Sequence, residues 1–454
     1  MKTYSEKECR ELISELSVRA GGVNHISPDR FHRYNVKRGL RNEDGTGVLT
    51  GLTKLGDVHG YVVSEGERVP VDGVLTYRGI DIREMVEHCR AEKRHGFDEV
   101  CYLLLMGSLP DKRELEEFSA LLASMRQLPD GFIEDMILKA PSKDLMNKIA
   151  RGTMSLYSYD ENPDDTDLEN LMRQSLQLVA QMPLLTAYAY QAKSHYHDHN
   201  SLYIHSSDPK LSTAENFLSI IRQDRHFEPI EADILDMMLM IHAEHGGGNN
   251  STFTTRVVSS SGTDTYSAIG AAIGSLKGPR HGGANIKVMG MMSDIKANVR
   301  NWNDEDEVAA YIEKILKREA YDHSGLVYGI GHAIYTLSDP RAVLLRERAQ
   351  ELAEKRGCTD VFHLYTLIEK LTPQVFNRLR DPDKKMCANV DLYSGFVYEM
   401  MGIPQEIYTP LFAISRVASW CAHRIEELMT SKKIIRPAYR NVCRDGEYIP
   451  LEER

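Results

Sequence analysis

The chain has 454 residues, of which 42% are hydrophobic and 27% are charged, and its formal net charge is −11. This is the composition of an ordinary soluble protein, and its acidic balance argues against a nucleic-acid-binding surface. The longest apolar run, 101–106, is too short to cross a bilayer. Residues 1–17 lack the features of a secretory signal or transit peptide, and the scattered cysteines form no C-x-x-C pair. We therefore expect a cytoplasmic protein with reduced thiols and no membrane partner.

The first predicted element is a small β region at 57–79, where short apolar runs alternate with turn residues. Beyond it, the dominant hydrophobic period is helical. A capping box of Ser212 and Glu215 predicts a helix in 211–223. Apolar spacing predicts another helix over 229–248, ended by a run of three glycines.

Three more helices are predicted towards the C-terminus, so the fold class is mostly α. In 303–320, Asn303 is the expected cap. In 338–357, Asp339 is the expected cap, with proline at the first helical position and glycine after the last. The long apolar segment 405–429 is predicted to be a core or subunit-contact helix.

Two further segments have unusual compositions. Small residues recur in 266–278, which indicates either close packing within the core or a tight contact between subunits. The histidine-rich segment 192–208 is interpreted as a solvated surface loop, with a metal-binding or pH-sensing role as the alternative.

Two histidine clusters are candidates for chemistry. In 242–251, His242 and His245 precede a glycine run. Three interpretations are open: the two residues bind a metal, they are hydrogen-bonded core residues, or one of them binds a substrate at the end of a helix. The spacing is not H-E-x-x-H and no third ligand is evident. In 278–285, His281 stands among glycines that allow close approach of another group.

A third cluster comes from two distant segments. His332 follows a glycine turn in 328–341, and Arg341 lies in the first turn of the next helix. Asp391, in 388–395, is a candidate base, although a cap or turn role is the alternative. Imidazoles, a carboxylate and an arginine suited to bidentate contacts together indicate proton abstraction and carbon-centred chemistry on a polycarboxylate.

Nine ordered segments, including "HAEHGGGNNST", "LKGPRHGGAN", "GIGHAIYTLSDPR" and "NVDLYSG", make the chain resemble the bacterial citrate synthases. The others are 73–82, 99–110, 211–218, 412–417 and 434–440. The resemblance implies an allosteric tricarboxylic acid cycle enzyme that condenses acetyl-CoA with oxaloacetate and water. It implies that coenzyme A enters as a substrate, with no further cofactor and no metal.

The resemblance also implies roles for individual residues. Asp391 matches the base that removes the methyl proton, His281 the donor to the thioester carbonyl, and His332 the group that polarises the oxaloacetate carbonyl. The residues matched to oxaloacetate binding are His245, Arg341, Arg416 and Arg436, the last supplied by a partner subunit. The positions assigned to coenzyme A are Gly329, Gly331 and Asn389.

The family architecture implies two domains closing on a hinge. The large helical domain comprises 1–285 and 395–454, the small domain is 286–394, and the assembly is a homodimer or a hexamer of dimers. Ala333 and Thr336 stand where many members have basic residues, and Glu244 where aspartate is commoner, which leaves the coenzyme A contacts open. The alternatives are a 2-methylcitrate synthase using propionyl-CoA, an inactive ligand-binding relative, or a metal hydrolase built on His242 and His245.

Overall fold

A computed structural model describes residues 5–42, 46–64, 67–431, 433–443 and 448–453. Residues 65 and 66 of the predicted β region lie outside the described residues. The chain divides into two compact units, one formed by the described residues up to 52 and one from residue 53 onwards. The predicted division into 1–285, 286–394 and 395–454 stays a prediction.

The first unit contains helices α1 (Glu6–Val23) and α2 (Pro28–Arg33) and a 3₁₀ turn, Arg38–Leu40. A capping box of Ser5 and Glu8 begins α1. None of the described side chains in this unit is fully buried, so it has no apolar core of its own.

The second unit begins with the predicted β region, which is an antiparallel sheet in the order β1-β2-β3. The strands are β1 (Gly56–Ser64), β2 (Glu67–Tyr77) and β3 (Ile80–Asp81). Gly56 pairs with Tyr77 and Ser64 with Glu67, and the register shifts between His59 and Tyr61. Leu75 and Tyr77, two residues apart on one face of β2, are fully buried.

Helices form the rest of this unit, as the hydrophobic period predicts. They are α3 (Ile82–Ala91), α4 (Phe97–Met106), α5 (Lys112–Ser124), α6 (Leu145–Ser155), α7 (Leu168–Asp198), α8 (Thr213–Ile221), α9 (Pro229–His242), α10 (Asn250–Ser259), α11 (Thr265–Lys277), α12 (Ala284–Asn298), α13 (Glu305–Leu316), α14 (Pro340–Arg356), α15 (Thr359–Leu379), α16 (Asp391–Met400) and α17 (Tyr408–Thr430). Shorter turns are Ile133–Leu138, Leu156–Tyr159, Gln405–Ile407 and Leu451–Glu453. The mostly α fold with a small β region is confirmed.

The core is organised around α17, which packs against α4, α7, α9, α10 and α11. Every residue from Tyr408 to Arg424 is buried, as expected for a helix in the centre of a large core. The prediction of a core helix in 405–429 is confirmed, although its first turn is 3₁₀ rather than α. No helix in the described part of the chain is long and apolar enough to cross a membrane.

Local signals predict some helix ends correctly and others wrongly. Ser212 and Glu215 form their capping box, and Asp339 caps α14 by accepting from the Arg341 N–H. The prediction that Asn303 caps its helix is wrong, because Asp304 accepts the N–H groups of the first helical turn instead. The prediction that the glycine run ends α9 is also wrong, since that helix ends at His242.

Tyr77 explains the early end of α9. Its hydroxyl donates to the Met240 carbonyl at 3.0 Å and accepts from the Glu244 N–H at 3.2 Å. The hydroxyl therefore stands where the next helical hydrogen bond, from residue 244 to residue 240, would form. As a result, His245 lies in a loop beyond the helix.

The two segments of unusual composition have different outcomes. The loop prediction for 192–208 is wrong for its first seven residues, which are the last turns of α7 and include the buried Ala192 and Ser194. In α11, a Cβ on Gly270 would lie 2.7 Å from Met154 Cγ. This supports close packing within the chain at 266–278, whereas the subunit contact stays a prediction.

Candidate active site

The structure brings together His245 and His332, which are far apart in sequence. Their ring centroids are 5.2 Å apart and the rings meet edge to face. Tyr335 stacks on His332 at 4.6 Å and meets His245 at 5.7 Å. Burial, and after it the charge of Arg341, holds the pKa of His245 well below 6.5, so this ring is neutral at physiological pH.

The loop that carries His332 follows α13 and fixes the tautomer of the ring. Gly329 and Gly331 have φ values of +84° and +96°, a region that favours glycine. His332 Nδ1 accepts the N–H groups of Ile334 and Tyr335, each at 3.1 Å. In the neutral ring the proton therefore lies on Nε2, which makes that nitrogen a hydrogen-bond donor.

Asn389 joins this loop to Asp391. Its side-chain amide donates to the Gly331 carbonyl at 2.9 Å, and its Oδ1 accepts the Asp391 N–H at 3.0 Å. Its backbone N–H donates to the Gly329 carbonyl at 2.9 Å. Asn389, Gly329 and Gly331 thus have a structural role in this chain, and their assignment to coenzyme A stays a prediction.

Asp391 is the first residue of α16, and its interpretation as a cap is wrong, because Val390 holds the cap position and no side chain caps this helix. Its interpretation as a base stays a prediction. The side chain is partly buried. Burial raises the pKa of Asp391 to about 6, and the nearby Asp339 adds to this effect, whereas Arg341 and Arg416 oppose it. A carboxylate with this pKa is ionised at neutral pH and is a stronger base than one in water.

His281 lies in the turn between α11 and α12, where Gly282 is packed closely. A Cβ on Gly282 would lie 2.4 Å from the Leu276 carbonyl oxygen. The backbone N–H of Ser251 donates to His281 Nε2 at 3.3 Å, so the proton of the neutral ring lies on Nδ1. Burial, followed by the charge of Arg416, lowers the pKa of His281 to about 4. The imidazole is therefore a neutral N–H donor over the physiological pH range.

Two of the three predicted arginines are buried beside these groups. Arg341 pairs with Asp339 through two contacts, 2.8 and 3.0 Å long. Although burial disfavours its charge, Asp339 raises the pKa of Arg341 above the usual value. Arg416 is 2% exposed and donates from Nε to the His242 carbonyl at 3.0 Å. Burial lowers the pKa of Arg416 to about 10, so it is still cationic at neutral pH.

Arg436 is exposed, in the extended segment after α17. The neighbouring Ile435 N–H donates to Ser260 Oγ at 3.0 Å. The structure of one chain does not bring Arg436 to the histidines through any described hydrogen bond or ion pair, and its role through a partner subunit stays a prediction.

His242 belongs to the core rather than to the pair that the H-x-x-H spacing indicates. It is 1% exposed, and its ring stacks on Phe412 with centroids 3.9 Å apart. Burial holds its pKa well below 6.5. Within the described ranges, no group of three or more histidine, cysteine or carboxylate side chains is placed to hold a metal ion.

Sequence reasoning missed a buried network that supports the His245 loop. Glu244 Oε1 accepts the Gly246 N–H at 2.7 Å and lies 3.1 Å from His423 Nε2. Arg256 donates to His423 Nδ1 at 3.0 Å and pairs with Glu427 at 2.9 Å. Although burial opposes it, His423 and Arg416 hold the pKa of Glu244 below its usual value. The only sequence signal was glutamate where relatives more often have aspartate.

A cavity of about 450 Å³ lies elsewhere, lined among others by Cys89, Arg90, Asp233 and Arg348. It contains none of the predicted catalytic residues. The chemistry instead points to His245, His281, His332 and Asp391, a group that we call the cleft. The rings of His245 and His332 are in contact, and the charge of Arg416 acts on His245, His281 and Asp391. That cleft combines a base of raised pKa, neutral N–H donors and two buried guanidinium groups, which together suit proton abstraction from a weak carbon acid beside a bound carboxylate.

Comparison with known proteins agrees with this chemistry. Residues 46–438 match the family model described as the citrate synthase C-terminal domain. The chain belongs to the citrate synthase family. It is 34% identical to the citrate synthase of Synechocystis over 390 residues, which cover 84% of this chain and 89% of that relative. The resemblance found in the sequence, and with it the prediction of an enzyme, is confirmed.

Two further members of the citrate synthase family are informative about substrates. The chain is 31% identical to 2-methylcitrate synthase 1 of Corynebacterium glutamicum over 426 residues, covering 92% of this chain and 98% of that enzyme. The structure also resembles citrate synthase of Thermoplasma acidophilum, solved as a ternary complex with carboxymethyl coenzyme A and oxaloacetate. That match has a TM-score of 0.74 and 26% identity, and covers 92% of this chain and 99% of the other.

Proposed function

We propose that the chain condenses acetyl-CoA with oxaloacetate and water to give citrate and free coenzyme A. The observation that carries this proposal is the position of Arg416. Besides the larger effect of burial, its charge lowers the pKa of His245, His281 and Asp391, which come from three distant segments. These groups therefore lie within electrostatic range of one buried cation, which we propose holds a carboxylate of the substrate.

The first step is removal of a methyl proton from acetyl-CoA. Asp391 takes the proton, and the electron pair of the C–H bond forms the enolate, with its negative charge on the thioester oxygen. His281, whose neutral ring carries its proton on Nδ1, donates to that oxygen. A preorganised neutral donor is well suited here because it stabilises the charge as it develops.

The second step forms the carbon–carbon bond. The enolate carbon attacks the keto carbon of oxaloacetate, and His332 donates from Nε2 to the keto oxygen as it becomes an alkoxide and takes a proton. Water then hydrolyses the citryl thioester, releasing citrate and the coenzyme A thiol. In the hydrolysis, water adds to the thioester carbonyl, the C–S bond breaks and the departing sulfur takes up a proton. The enolisation and the carbon–carbon bond formation need only the proton transfers and hydrogen bonds that Asp391, His281 and His332 supply.

Binding of oxaloacetate falls to His245 and the arginines. Arg341 and Arg416 hold carboxylates, and Arg436 reaches the site from a second subunit of a homodimer or a larger assembly of dimers. Closure of 286–394 on the rest of the second unit excludes water from the enolate. We place the enzyme in the cytoplasm.

Thiol release on mixing the protein with acetyl-CoA and oxaloacetate tests this proposal. We expect release that depends on both substrates and that is lost in Asp391→Ala. Release by the wild-type protein no faster than by the variant would reject the function and leave an inactive ligand-binding relative.

A second candidate function, 2-methylcitrate synthesis from propionyl-CoA, is favoured by the similarity to the Corynebacterium enzyme. One methylene group changes discrimination by only about 1–3 kcal/mol, so both thioesters are plausible substrates. The ratio of kcat/KM for acetyl-CoA to that for propionyl-CoA decides between them. A ratio above 1 supports citrate synthesis as the main activity, and a ratio below 1 supports the alternative.

A further inference from the structure

The segment 332–338 has no helix or strand, yet it carries His332. It leads directly into α14, which Asp339 caps and whose first turn contains Arg341. A loop of this kind needs contacts from outside to hold a catalytic side chain in place. Those contacts come from the β1–β2 hairpin, by which we mean the hydrogen-bonded strands at residues 56–64 and 67–77.

The first contact is at Gly73 in β2. Its backbone N–H donates to the Ser338 carbonyl at 3.1 Å and lies 3.2 Å from Ser338 Oγ. Ser338 Oγ in turn donates to Asp72 Oδ1 at 2.8 Å. A Cβ on Gly73 would lie 2.2 Å from the Ser338 carbonyl oxygen, so a side chain there would push the two backbones apart.

The second contact is at Gly60 in β1. A Cβ there would lie 2.9 Å from the Ile334 carbonyl oxygen and 3.1 Å from Tyr335 Cα. The N–H groups of Ile334 and Tyr335 are the two that donate to His332 Nδ1. Gly60 thus borders the stretch of backbone that fixes the tautomer of the catalytic ring.

The ring of Tyr335 connects both contacts to the site. A Cβ on Gly73 would lie 2.6 Å from Tyr335 Cδ1, so that ring packs directly against the glycine. Its plane is within 24° of the plane of His332. A displacement of the ring by a side chain at position 73 would therefore pass to His332.

We propose that Gly60 and Gly73 are positioning residues for His332. Because they have no side chain, the β1–β2 hairpin can pack closely against the 332–338 loop and hold it in place. This inference rests on the proposed function, in which His332 polarises the keto group of oxaloacetate. Neither glycine has a positive φ, so alanine at these positions changes the space available and not the allowed backbone conformation.

The test compares Gly73→Ala and Gly60→Ala with the control Val62→Ala. Val62 is on the same strand as Gly60 but is 47% exposed, and it pairs with Val69 away from the loop. For each protein, kcat, the KM for oxaloacetate and the infrared carbonyl band of bound [2-¹³C]oxaloacetate are measured. Thermal unfolding establishes that each variant is folded.

We expect kcat to fall about 10–100-fold in the two glycine variants, the size of effect that a displacement of about 1 Å produces. The oxaloacetate KM should change much less, and the carbonyl band should move towards its position in water. Ser338→Ala, which keeps the backbone but loses the hydroxyl contact with Asp72, should shift the band in the same direction by less. It serves as the test if the glycine variants do not fold.

The outcome that overturns this inference differs from the outcome that overturns the proposed role of His332. If the wild-type protein shifts the carbonyl band and the folded variants shift it equally, the hairpin does not position His332. The same conclusion follows if Val62→Ala lowers kcat as much as Gly73→Ala does. If the wild-type protein binds oxaloacetate without shifting the band, the role proposed for His332 fails, and the inference fails with it.

Discussion

At the scale of single residues, the pKa values of the acidic and the basic groups of the cleft are shifted in opposite directions. The pKa of Asp391 is raised to about 6, whereas that of His281 is lowered to about 4, and burial is the largest cause in both cases. Burial disfavours the charged form of each, which is the anion of one and the cation of the other. At neutral pH the cleft therefore holds a base and neutral donors.

Asp391→Asn is predicted to abolish turnover and to stabilise the fold at pH 8. The wild-type carboxyl has a higher pKa when folded than when unfolded, so the native state loses stability as pH rises through about 4–6. The variant has no such cost. We expect its free energy of unfolding at pH 8 to exceed that of wild type by about 1–3 kcal/mol, from the size of the shift.

Urea unfolding at pH 8 and at pH 4 measures this difference. The stabilisation should shrink at pH 4, where the wild-type carboxyl is protonated in the native state. Equal stability of the two proteins at pH 8 would contradict the raised pKa. The wild-type kcat should also decrease below about pH 6, as Asp391 takes up a proton.

Sequence found the catalytic candidates because glycine turns beside histidine are unusual, but it could not find their tautomers. The proton position on His281 depends on the N–H of Ser251, and that on His332 depends on two amides of its own loop. The first contact spans 30 residues, so no local pattern records it. The pKa shifts likewise arise from burial, which only the fold determines.

At the scale of elements, α17 supports the His245 loop through His423, which lies near Glu244 Oε1. Both side chains are fully buried. The same carboxylate oxygen accepts the Gly246 N–H at the start of the glycine run. The loop that holds His245 is thus attached to the core helix by one carboxylate.

Glu244→Ala is predicted to lower the free energy of unfolding by about 2–4 kcal/mol, because it leaves the buried His423 ring and the partly buried Gly246 N–H without their acceptor. The matched variant Glu244→Gln keeps an oxygen that accepts from both donors and should cost less than half as much. Guanidinium unfolding of the two variants and wild type measures this. Equal losses for alanine and glutamine would show that charge, rather than hydrogen bonding, determines the cost.

Local capping chemistry explains which helix ends were predictable. Ser212 and Asp339 were assigned correctly because each cap bonds to its own first turn. Asn303 was wrong because the competing Asp304, one residue later, makes the bonds to the first turn. The end of α9 was not predictable, because the hydroxyl responsible belongs to Tyr77, 163 residues from its acceptor Met240.

At the scale of the whole molecule, the change of folding stability with falling pH depends on titratable groups that have opposite effects. The native state suppresses protonation of His242, His245 and His281, so it binds fewer protons than the unfolded chain below about pH 6.5. Asp236 and Asp391, with pKa values raised to about 6, act in the opposite direction between about pH 4 and 6. Stability should therefore begin to fall as pH decreases through 6.5.

His281→Asn is predicted to weaken this acid sensitivity. A depressed histidine pKa contributes stability that is present above about 6.5 and is lost as pH falls towards 4. Relative to wild type, the variant should gain about 1–3 kcal/mol between pH 7 and pH 4. His226→Asn, at an exposed position, is the control for the histidine-to-asparagine substitution itself. A parallel curve for His281→Asn would contradict the depressed pKa.

The family was recognisable from ordered motifs that extend over most of the chain, and the mostly α architecture followed from hydrophobic period. Contributions from a second chain were not accessible in the same way. Arg436 is exposed in a single chain, and nothing in its local sequence specifies the surface that would cover it.

The Asn389 bridge has a consequence for protein engineering. The chain leaves this point after Gly331 and returns to it at Cys387, where the Gly331 N–H donates to the Cys387 carbonyl at 2.7 Å. The segment between Gly331 and Cys387 therefore has its two ends joined by a backbone hydrogen bond. Exchanging that segment for the corresponding segment of a homologue should conserve the spacing between Asp391 and His332, provided that both joined ends are exchanged together.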